Sequence, residues 1–491
     1  MIWGISANSH DAALAVFDEN VTEIKFASHS ERYSGLKNDA HLNTELVKEA
    51  LSYGKPTEVV WYEKPNLKTL RQIRAGQGFA GLGENNIKQY LGRYGIHVPI
   101  STVSHHSSHA AAGYFTSPFT EASIVVIDSI GEFESLSIWD AIGTKVKKTF
   151  KQSYPDSLGL WYSALTQRVG LKPNEDEYIL MGMAAYGDPL RLFNDILNDF
   201  IYIPDIDNSP RIKFKHNLHR GCKWWRPDLT TKQDMFDIAA ATQAVYEYIL
   251  KIISNYARWK SESGNLVLMG GCALNCSANS KIFKDWNNVW IMPNPGDSGS
   301  AIGAVLSKYR THINWVGPYL GKEIIGEYPV ESIIHELTST GICGVANGRA
   351  EFGPRALGNR SLLADPRGPD IKDRVNSIKR RQKFRPFAPA ILEEHAAEFF
   401  DGPVGPYMQY TSRCRYPNEY PAIVHGDGTA RVQTVAKGEQ TGFRALLEQW
   451  YELTGCPMLL NTSLNIKGKP IVNSISDTQE FENKYGVKVF T

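Results

Sequence analysis

Residues 105–128 read HHSSHAAAGYFTSPFTEASIVVID, a helix-forming segment followed by an apolar one. The alanines after His109 favour a helix, and a spacing of four places His105 and His109 on the same helix face. The apolar run 123–127 predicts a buried strand with Asp128 at its end. Two imidazoles and a carboxylate fit a metal site. Surface histidines at a helix start are the alternative, and an HxxxH pair alone does not separate the two.

Two strand–turn–strand segments extend this pattern to the fold. Residues 2–17 and 123–139 each carry an apolar run, a turn of small and acidic residues, and a second apolar run. A tight turn between strands directs several backbone amides at one point, which suits a phosphate. Paired hairpins of this kind form the phosphate clamp of the actin-like and sugar-kinase ATPase superfold, whereas two ordinary hairpins are the alternative. Strands that alternate with helices, as over 42–62, predict an α/β class.

A second carboxylate follows farther along the chain. Residues 289–306 read VWIMPNPGDSGSAIGAVL, which predicts a strand, a polar turn with Asp297 and a helix of small residues. Together with the pair on the first helix and Asp128, this residue supplies a set of two nitrogen and two oxygen ligands. Such a set suits a divalent ion and leaves room for phosphate oxygens or water.

A glycine-containing turn lies between these two carboxylates. Residues 265–282 read NLVLMGGCALNCSANSKI, a buried strand that runs into Gly270 and Gly271 and then into a helix with Asn275. Glycines at a strand–helix turn allow close approach of a nucleotide to the backbone, and a helix N-terminus favours anionic groups. We predict nucleotide contacts at this turn.

The composition indicates a globular protein of more than one domain. The 491 residues are 42% apolar and 21% charged, and the net charge of +1 gives no general attraction to nucleic acid or membranes. Six cysteines without a disulfide-framework spacing are typical of a reducing compartment. The chain shows neither a leader nor an apolar run of about 20 residues, so we expect a cytoplasmic protein without a membrane span.

The second half of the chain is distinguished by arginines on loops. Glycine and proline over 310–335 predict a domain boundary near 320–332. Beyond it, Asn461, Thr462 and Ser463 follow a strand, and guanidinium groups bind small planar anions in a bidentate manner. The loop arginines and this Asn-Thr-Ser turn together predict an anion pocket. The arginines are Arg349, Arg355, Arg360, Arg385 and Arg431.

A basic and aromatic segment stands apart from these motifs. Residues 211–226 read RIKFKHNLHRGCKWWR and contain no acid. Such a mixture suits phosphate tracking with base stacking. A solvated charged face is the alternative interpretation.

Eight motifs together carry a resemblance to a known family. HHSSHA, VVIDSIGE, MGGCALN, NPGDSGSAIGA, EFGPRALGNRSLLADPR, FRPFAPA, DGTARVQTV and LLNTSLNIKGKPIV occur in this order. The chain resembles the NodU/CmcH-type O-carbamoyltransferase family over nearly its whole length. The resemblance implies an actin-like, metal- and ATP-binding domain with duplicated halves over 1–325. It also implies a YrdC-like α/β domain that binds carbamoyl phosphate over 326–491.

The resemblance also implies a reaction in two stages. Carbamoyl phosphate releases phosphate, and the resulting carbamate attacks the α-phosphate of ATP to give carbamoyladenylate and pyrophosphate. The carbamoyl group then passes to a hydroxyl acceptor and AMP leaves. The acceptor is a small metabolite, a sugar, or a hydroxymethylated nucleobase, free or in DNA, which 211–226 would contact. A homodimer is left open.

Residue roles follow from the same resemblance. By position, the metal ligands are His105, His109, Asp128 and Asp297, which hold iron in the family, with Mg²⁺ possible alongside the nucleotide. Lys37 and Arg355 match nucleotide contacts, as Gly270, Gly271 and Asn275 are predicted to be. The carbamoyl phosphate pocket is matched by Arg385, Arg431 and Asn461, and the catalytic positions by His10 and Ser463. An imidazole is chemically suited to act as the base for the acceptor hydroxyl, and His10 would supply it.

Two other function classes are weighed against this one. The first is a threonylcarbamoyl-type transferase or another nucleotide-dependent enzyme of the actin-like fold, such as a kinase. The FGPRALG motif in the second half counts against a plain kinase. The second is a non-catalytic nucleotide-binding protein.

Overall fold

The computed structural model describes residues 1–74, 81–202, 209–382, 384–439 and 441–491. The strands before residue 316 are β1 (Ile2–Ser6), β2 (Ala13–Phe17), β3 (Ile24–His29), β4 (Glu58–Trp61), β5 (Ile100–Thr102), β6 (Glu121–Gly131), β7 (Glu134–Ile142), β8 (Lys145–Ser153), β9 (Ile201–Tyr202), β10 (Lys213–Phe214), β11 (Asn265–Met269) and β12 (Asn288–Trp290). The helices of the same stretch are α1 (Glu31–Ser34), α2 (Thr44–Ser52), α3 (Pro65–Arg74), α4 (Gly81–Glu84), α5 (Ile87–Gly92), α6 (His105–Thr116), α7 (Leu158–Arg168), α8 (Glu177–Met183), α9 (Pro189–Phe200), α10 (Lys232–Lys260), α11 (Cys276–Ile282) and α12 (Ser300–Tyr309).

The remaining elements follow residue 316. The strands are β13 (Tyr319–Ile324), β14 (Ile342–Ala346), β15 (Gly348–Glu351), β16 (Arg360–Ala364), β17 (Ala388–Leu392), β18 (Phe400–Asp401), β19 (Ser412–Cys414), β20 (Thr429–Ala430), β21 (Gln433–Val435), β22 (Met458–Ser463) and β23 (Val489–Phe490). The helices are α13 (Val330–Thr340), α14 (Ile371–Lys379), α15 (Ala396–Phe399), α16 (Gly442–Thr454) and α17 (Ile475–Tyr485).

Two five-stranded sheets repeat one plan. Their strand orders are β3-β2-β1-β4-β5 and β8-β7-β6-β11-β12. In the first sheet β1 pairs antiparallel with β2 and parallel with β4, and in the second β6 pairs antiparallel with β7 and parallel with β11. The outer strands β5 and β12 continue the parallel side. This duplication is the plan of the actin-like ATPases, so the predicted fold class is confirmed, as are both predicted hairpins.

Small residues bring the two halves of this plan together. A side chain at Gly303 of α12 would meet the carbonyl of Ser108 and the methyl group of Ala112, both on α6. The absence of a side chain therefore lets α12 and α6 pack at close range, which explains the small-residue sequence of both helices. This contact fixes the start of α12 beside the start of α6, where the candidate ligands lie.

The chain divides into two compact units, and both are discontinuous. The first contains residues 1–9, 13–24 and 51–315, and the second contains 10–12, 25–50 and 316–491. The main division thus lies ten residues before the predicted one, and two amino-terminal segments cluster with the second unit. Among the described residues, no helix is both long and apolar enough to cross a membrane.

The second unit is built on a six-stranded mixed sheet. Its strand order is β21-β17-β22-β16-β14-β23. Successive residues alternate between two apolar cores, since Leu362 and Ala364 belong to one and Leu363 to the other. Helices α14 and α17 contribute to the first core, and α13 and α16 to the second. Both faces of the sheet are therefore covered.

Replacing His29 in the second unit should flatten the acid dependence of stability. Burial and the positive charge of Arg32 lower the pKa of His29 from 6.5 to about 3. Between these values the unfolded chain binds more protons at this site, so stability falls as the pH drops below 6.5. We expect His29→Gln to lose about 2 kcal/mol less than the wild type between pH 7 and pH 5. Urea unfolding at both pH values measures this difference, and equal losses would contradict it.

Candidate metal and carbamoyl phosphate sites

Helix α6 carries the two histidines of the first site. His105 is the first residue of the helix and His109 lies one turn later, so both rings occupy the same face. Both are buried, with exposed fractions of 2% and 0%. Their Nε2 atoms are 3.1 Å apart, which directs both basic nitrogens at one point. Surface histidines, the alternative interpretation, are excluded by this burial.

Two carboxylates reach the same point from other elements. The predicted strand over 123–127 continues to Gly131, and its pairing with β7 is irregular after Ile127. Asp128 therefore lies at an irregularity within β6, not at its end, and such irregularities redirect side chains. Asp297 begins a short 3₁₀ turn that leads into α12. Their oxygens lie 3.0 Å (Asp128) and 3.4 Å (Asp297) from His105 Nε2.

The four side chains stabilise each other's charged forms. Burial alone would lower the pKa of His105, but the charge of Asp297 and the hydrogen bond with Asp128 outweigh it, so this pKa lies well above its usual value. Burial raises the pKa of Asp128, and hydrogen bonds from His105 and His109 more than reverse that effect. The pKa of Asp297 is lowered in the same way, chiefly by the charge of His105 acting against burial.

This cluster fits a divalent ion. One ligand atom from each of the four residues can be chosen so that all lie within 4.8 Å of one another. Two imidazole nitrogens and two carboxylate oxygens form a mixed donor set that binds first-row divalent metals. The Nδ1 atoms of both histidines are buried without a hydrogen-bond partner in the described part of the chain, so only their Nε2 atoms are engaged in polar contacts.

Three neighbours of the cluster were not predicted as site residues. A side chain at Gly131 would collide with the ring of His105, so this glycine makes room for the ligand. Glu132 accepts a hydrogen bond from the backbone N–H of His105 at 3.4 Å and one from Lys64 N–H at 2.6 Å. The ring of Tyr62 packs 5.3 Å from that of His105. Gly131 and Glu132 end the quoted motif VVIDSIGE, whereas no local pattern marked Tyr62.

The residues of the glycine-containing turn after β11 make packing contacts and hydrogen bonds within the protein. A side chain at Gly270 would collide with the carbonyl of Ile127, and Gly271 donates its N–H to Asp128 at 3.4 Å. The amide of Asn275 pairs in both directions with that of Gln243, at 2.9 and 3.0 Å. It also caps α11 by accepting from Ala278. The predicted nucleotide role of Asn275 would require its side chain to leave these partners.

The second unit contains the remaining predicted residues. His10 Nδ1 lies 3.0 Å from the carboxylate of Asp11, and its side chain is half exposed. Lys37 is exposed and Arg355 is partly buried. Buried Arg32 donates to the carbonyl of Gly353 at 3.0 Å, which ties the segment before Lys37 to the loop that carries Arg355.

A buried lysine at the end of α14 links several of these positions. Lys379 Nζ donates to the carbonyl of Ser463 at 2.6 Å and lies 3.4 Å from its hydroxyl. Burial, together with the positive charges of Arg381, Lys37 and Arg385, holds the pKa of Lys379 well below its usual range. Cations from two segments, 379–385 and the loop with Lys37, thus concentrate around one point. The basic run 379–385 contained Lys379, but the sequence gave no sign that it was buried.

Arg431 shares His425 with Arg385, and Asn461 lies on the strand that carries Ser463. Burial lowers the pKa of His425 to about 4, and the positive charges of Arg385 and Arg431 contribute to this shift. Asn461 is buried and donates to Gln433 at 2.7 Å and to the carbonyl of Ala356 at 3.1 Å. Its carbonyl oxygen has no hydrogen-bond partner within the described residues. Gln433, which positions this amide, was not predicted.

Two of the five loop arginines do not serve an anion pocket. Arg360 is fully buried and donates to four backbone carbonyls, including those of Asn347 and Lys322. Arg349 donates to the carbonyls of Lys25 and Leu320. Because backbone oxygens occupy these guanidinium groups, the prediction from arginine count alone was wrong for them.

Three of the six Lys and Arg residues of the basic segment are also engaged. Arg211 lies 5.8 Å from the ring of Phe150, and Lys215 donates to the carbonyl of Asn198. Arg226 pairs with Asp195 at 2.7 Å. The segment is therefore folded onto α9 and its neighbours, and a DNA acceptor stays a prediction.

Comparison with known proteins places this arrangement in a family. Residues 88–306 match the family described as "Carbamoyltransferase N-terminus" and 334–491 the one described as "Carbamoyltransferase C-terminus". The chain belongs to the carbamoyltransferase family and is an enzyme of that class. This result confirms the resemblance stated from the motifs.

Particular relatives cover most of the chain. It is 32% identical to the uncharacterized protein sll1178 of Synechocystis sp., over 97% of this chain and 93% of that protein. It is 33% identical to nodulation protein NolO of Bradyrhizobium diazoefficiens, over 76% and 75%. It is 28% identical to 3'-hydroxymethylcephem-O-carbamoyltransferase of Amycolatopsis lactamdurans, over 95% and 94%.

Solved structures with distant similarity include T.kodakarensis HypF and a ROK family glucokinase from Streptomyces griseus. The first has a TM-score of 0.34 and 13% identity, and covers 63% of this chain and 47% of that one. The second has a TM-score of 0.30 and 12% identity, and covers 62% and 97%. The fold assignment therefore depends on the strand orders of the two sheets.

Removing one imidazole should empty the metal cluster. We expect the wild type to retain about one divalent ion per chain after dialysis, and His109→Gln to lose it, because three ligands hold an ion less tightly than four. Elemental analysis by mass spectrometry measures the stoichiometry. His106→Gln is the matched control, since His106 is buried on the same helix but faces Ser137 at 2.7 Å. Equal metal content in the wild type and His109→Gln would contradict the assignment.

Proposed function

We propose that this enzyme uses ATP and carbamoyl phosphate to carbamoylate a hydroxyl group. The observation that carries the proposal is the convergence of His105, His109, Asp128 and Asp297 within 4.8 Å. A divalent ion held there, Fe²⁺ by resemblance to the family or Mg²⁺ with the nucleotide, would supply positive charge against phosphate oxygens. Family membership supports the transfer of a carbamoyl group.

The cations of the second unit support carbamoyl phosphate as the donor. Lys379, Arg381, Lys37 and Arg385 repel one another, as the lowered pKa of Lys379 reflects after the effect of burial. A phosphate dianion would offset this repulsion and accept charge-assisted hydrogen bonds from the guanidinium groups. The buried carbonyl oxygen of Asn461 is suited to accept a hydrogen bond from the carbamoyl NH₂ group.

The reaction balances in three bond exchanges. Water cleaves the bond between the carbamoyl group and phosphate, and carbamate remains with inorganic phosphate. A carbamate oxygen attacks the α-phosphorus of ATP, and pyrophosphate leaves. The acceptor hydroxyl then attacks the carbamoyl carbon, AMP leaves, and a base takes the hydroxyl proton. Adenylation is needed because carbamate itself is a poor electrophile.

His10 is proposed as that base. A hydrogen bond from its Nδ1–H to Asp11 fixes the tautomer in which Nε2 is the basic nitrogen. The carboxylate also stabilises the imidazolium that forms when the proton is taken. Ser463 is assigned a positioning role, because its backbone carbonyl and hydroxyl lie within 2.6 and 3.4 Å of Lys379 Nζ.

The products of ATP separate this mechanism from a kinase reaction. With ATP, carbamoyl phosphate and the divalent ion, we expect AMP and pyrophosphate, measured by ion-exchange chromatography. Arg385→Gln should raise the KM for carbamoyl phosphate at least about tenfold, because a charge-assisted hydrogen bond contributes roughly 1.5–3 kcal/mol.

Arg413→Gln is the matched control, since Arg413 is exposed on β19 of the same unit. Its KM should equal that of the wild type. Release of ADP in place of AMP would refute the adenylation step. An unchanged KM in Arg385→Gln would refute the proposed donor pocket.

A further inference from the structure

We infer that the buried ion pair between Lys68 and Glu63 positions the proposed base His10 by fixing the turn that leads into it. The pair lies in the first unit, in the segment that follows β4. Both members are positioning residues, because neither is proposed to touch a substrate. The inference rests on the proposed function, since it concerns the base of that reaction.

Helix α3 buries a lysine and exposes its apolar residues. Among its ten residues, all of them described, Lys68 is the only buried one, with an exposed fraction of 2%. Leu67, Leu70 and Ile73 are 36–42% exposed. An amphipathic helix of a globular protein ordinarily shows the opposite arrangement. The contacts of the ammonium group, and not the burial of apolar surface, therefore set the orientation of α3.

The ammonium group of Lys68 makes two short polar contacts. Its Nζ donates to the carboxylate of Glu63 at 2.6 Å and to the backbone carbonyl of Asn8 at 2.7 Å. The side chains of the lysine and the glutamate are only 3% and 5% exposed. A buried ion pair contributes little net stability compared with apolar residues of the same volume. The bond to Asn8, two residues before His10, gives the pair a role beyond folding.

The turn that contains His10 has a backbone that needs such support. Asn8 and Asp11 both have left-handed φ values, of 66° and 56°. This conformation is uncommon for residues other than glycine and persists where the surrounding structure fixes it. Lys68 fixes the carbonyl of Asn8 before the base, and the carboxylate of Asp11 lies 3.0 Å from Nδ1 of the base itself. The imidazole is therefore constrained from both sides along the chain.

The segment that carries Glu63 is itself anchored beside the metal cluster. The ring of Tyr62 packs 5.3 Å from that of His105. The backbone N–H of Lys64 donates to Glu132 at 2.6 Å. Glu63 lies between these two anchored residues, so its carboxylate is a fixed point for the ammonium group. The ion pair thus connects the surroundings of the metal cluster with the turn that precedes the proposed base.

Two partial reactions of the full chain test the inference without a known acceptor, because water takes the place of the hydroxyl group. The protein is supplied with ATP, carbamoyl phosphate and Fe²⁺. Exchange of labelled pyrophosphate into ATP reports the reversible formation of carbamoyladenylate, in which His10 has no proposed role. Release of AMP reports the attack of water on the carbamoyl carbon: the bond to AMP breaks, carbamate forms, and the base takes a proton from the water. The ratio of AMP release to exchange therefore measures the base.

Lys68→Met/Glu63→Met should lower this ratio at least about tenfold, as His10→Ala should, because a misplacement of about 1 Å in a reacting group can cost more than that. The double variant leaves no buried charge unpaired, so its melting temperature should stay close to that of the wild type. Its metal content should be unchanged. Hydrogen exchange measured by mass spectrometry should be faster at the amides of residues 8–12.

Lys251→Met/Asp285→Leu is the matched control, because it removes another ion pair of the first unit, 2.5 Å long, between α10 and the 3₁₀ turn at 283–285. Its ratio should equal that of the wild type. An unchanged ratio in the Lys68→Met/Glu63→Met variant, an equal fall of both partial reactions, loss of folding, or unchanged hydrogen exchange at 8–12 would each overturn the inference.

Failure of the proposed function gives a different result. A wild type without pyrophosphate exchange refutes the proposed reaction, and an unchanged ratio in His10→Ala refutes the proposed base. In both cases the inference fails with the function on which it rests. A ratio that falls in His10→Ala but not in the Lys68→Met/Glu63→Met variant refutes the inference alone.

Discussion

Two carboxylates and two imidazoles lie close together at one buried position in the first unit, and the surrounding structure holds them there. Taking two carboxylates out of water is costly unless each is paired and hydrogen-bonded. Asp128 and Asp297 meet this requirement through His105 and His109, and the lowered pKa values of both acids reflect it. Three segments, the start of α6, the irregular part of β6 and the turn before α12, must therefore reach one place. The duplicated sheets and the close packing of α6 on α12 provide that convergence.

Local patterns were enough to predict much of this unit. The alanine-rich run after His109 and the apolar run before Asp128 each fix their own element, because helix and strand periodicities act over a few residues. The irregularity in β6 could not be predicted, since it arises from pairing with β7. The role of Asn275 was obscured for the same reason. Its partner Gln243 lies on α10, and nothing in the sequence connects the two.

In the second unit the sequence predicted that cationic side chains are numerous, but not which of them are buried or what each one contacts. Guanidinium groups look alike in a sequence whether they face solvent, an anion or a backbone carbonyl. Arg360 is buried against four carbonyl oxygens, whereas Arg385 lies among other cations. Burial decides between these roles, and burial depends on which strands enclose a residue. Lys379 was overlooked because a lysine within a basic run usually lies on the surface.

The discontinuous second unit has a consequence for how the chain matures. Residues 25–50 are synthesised early, yet they cluster with residues 316–491. Arg32, enclosed in that unit, finds its carbonyl partner on Gly353 only after more than three hundred further residues have emerged. During synthesis Arg32 must wait without this partner, exposed to chaperones and proteases, even though β3 can already pair with β2. A carboxyl-terminal fragment expressed alone would in turn lack Arg32, the partner of the Gly353 carbonyl, and the other residues of 25–50 that cluster with it.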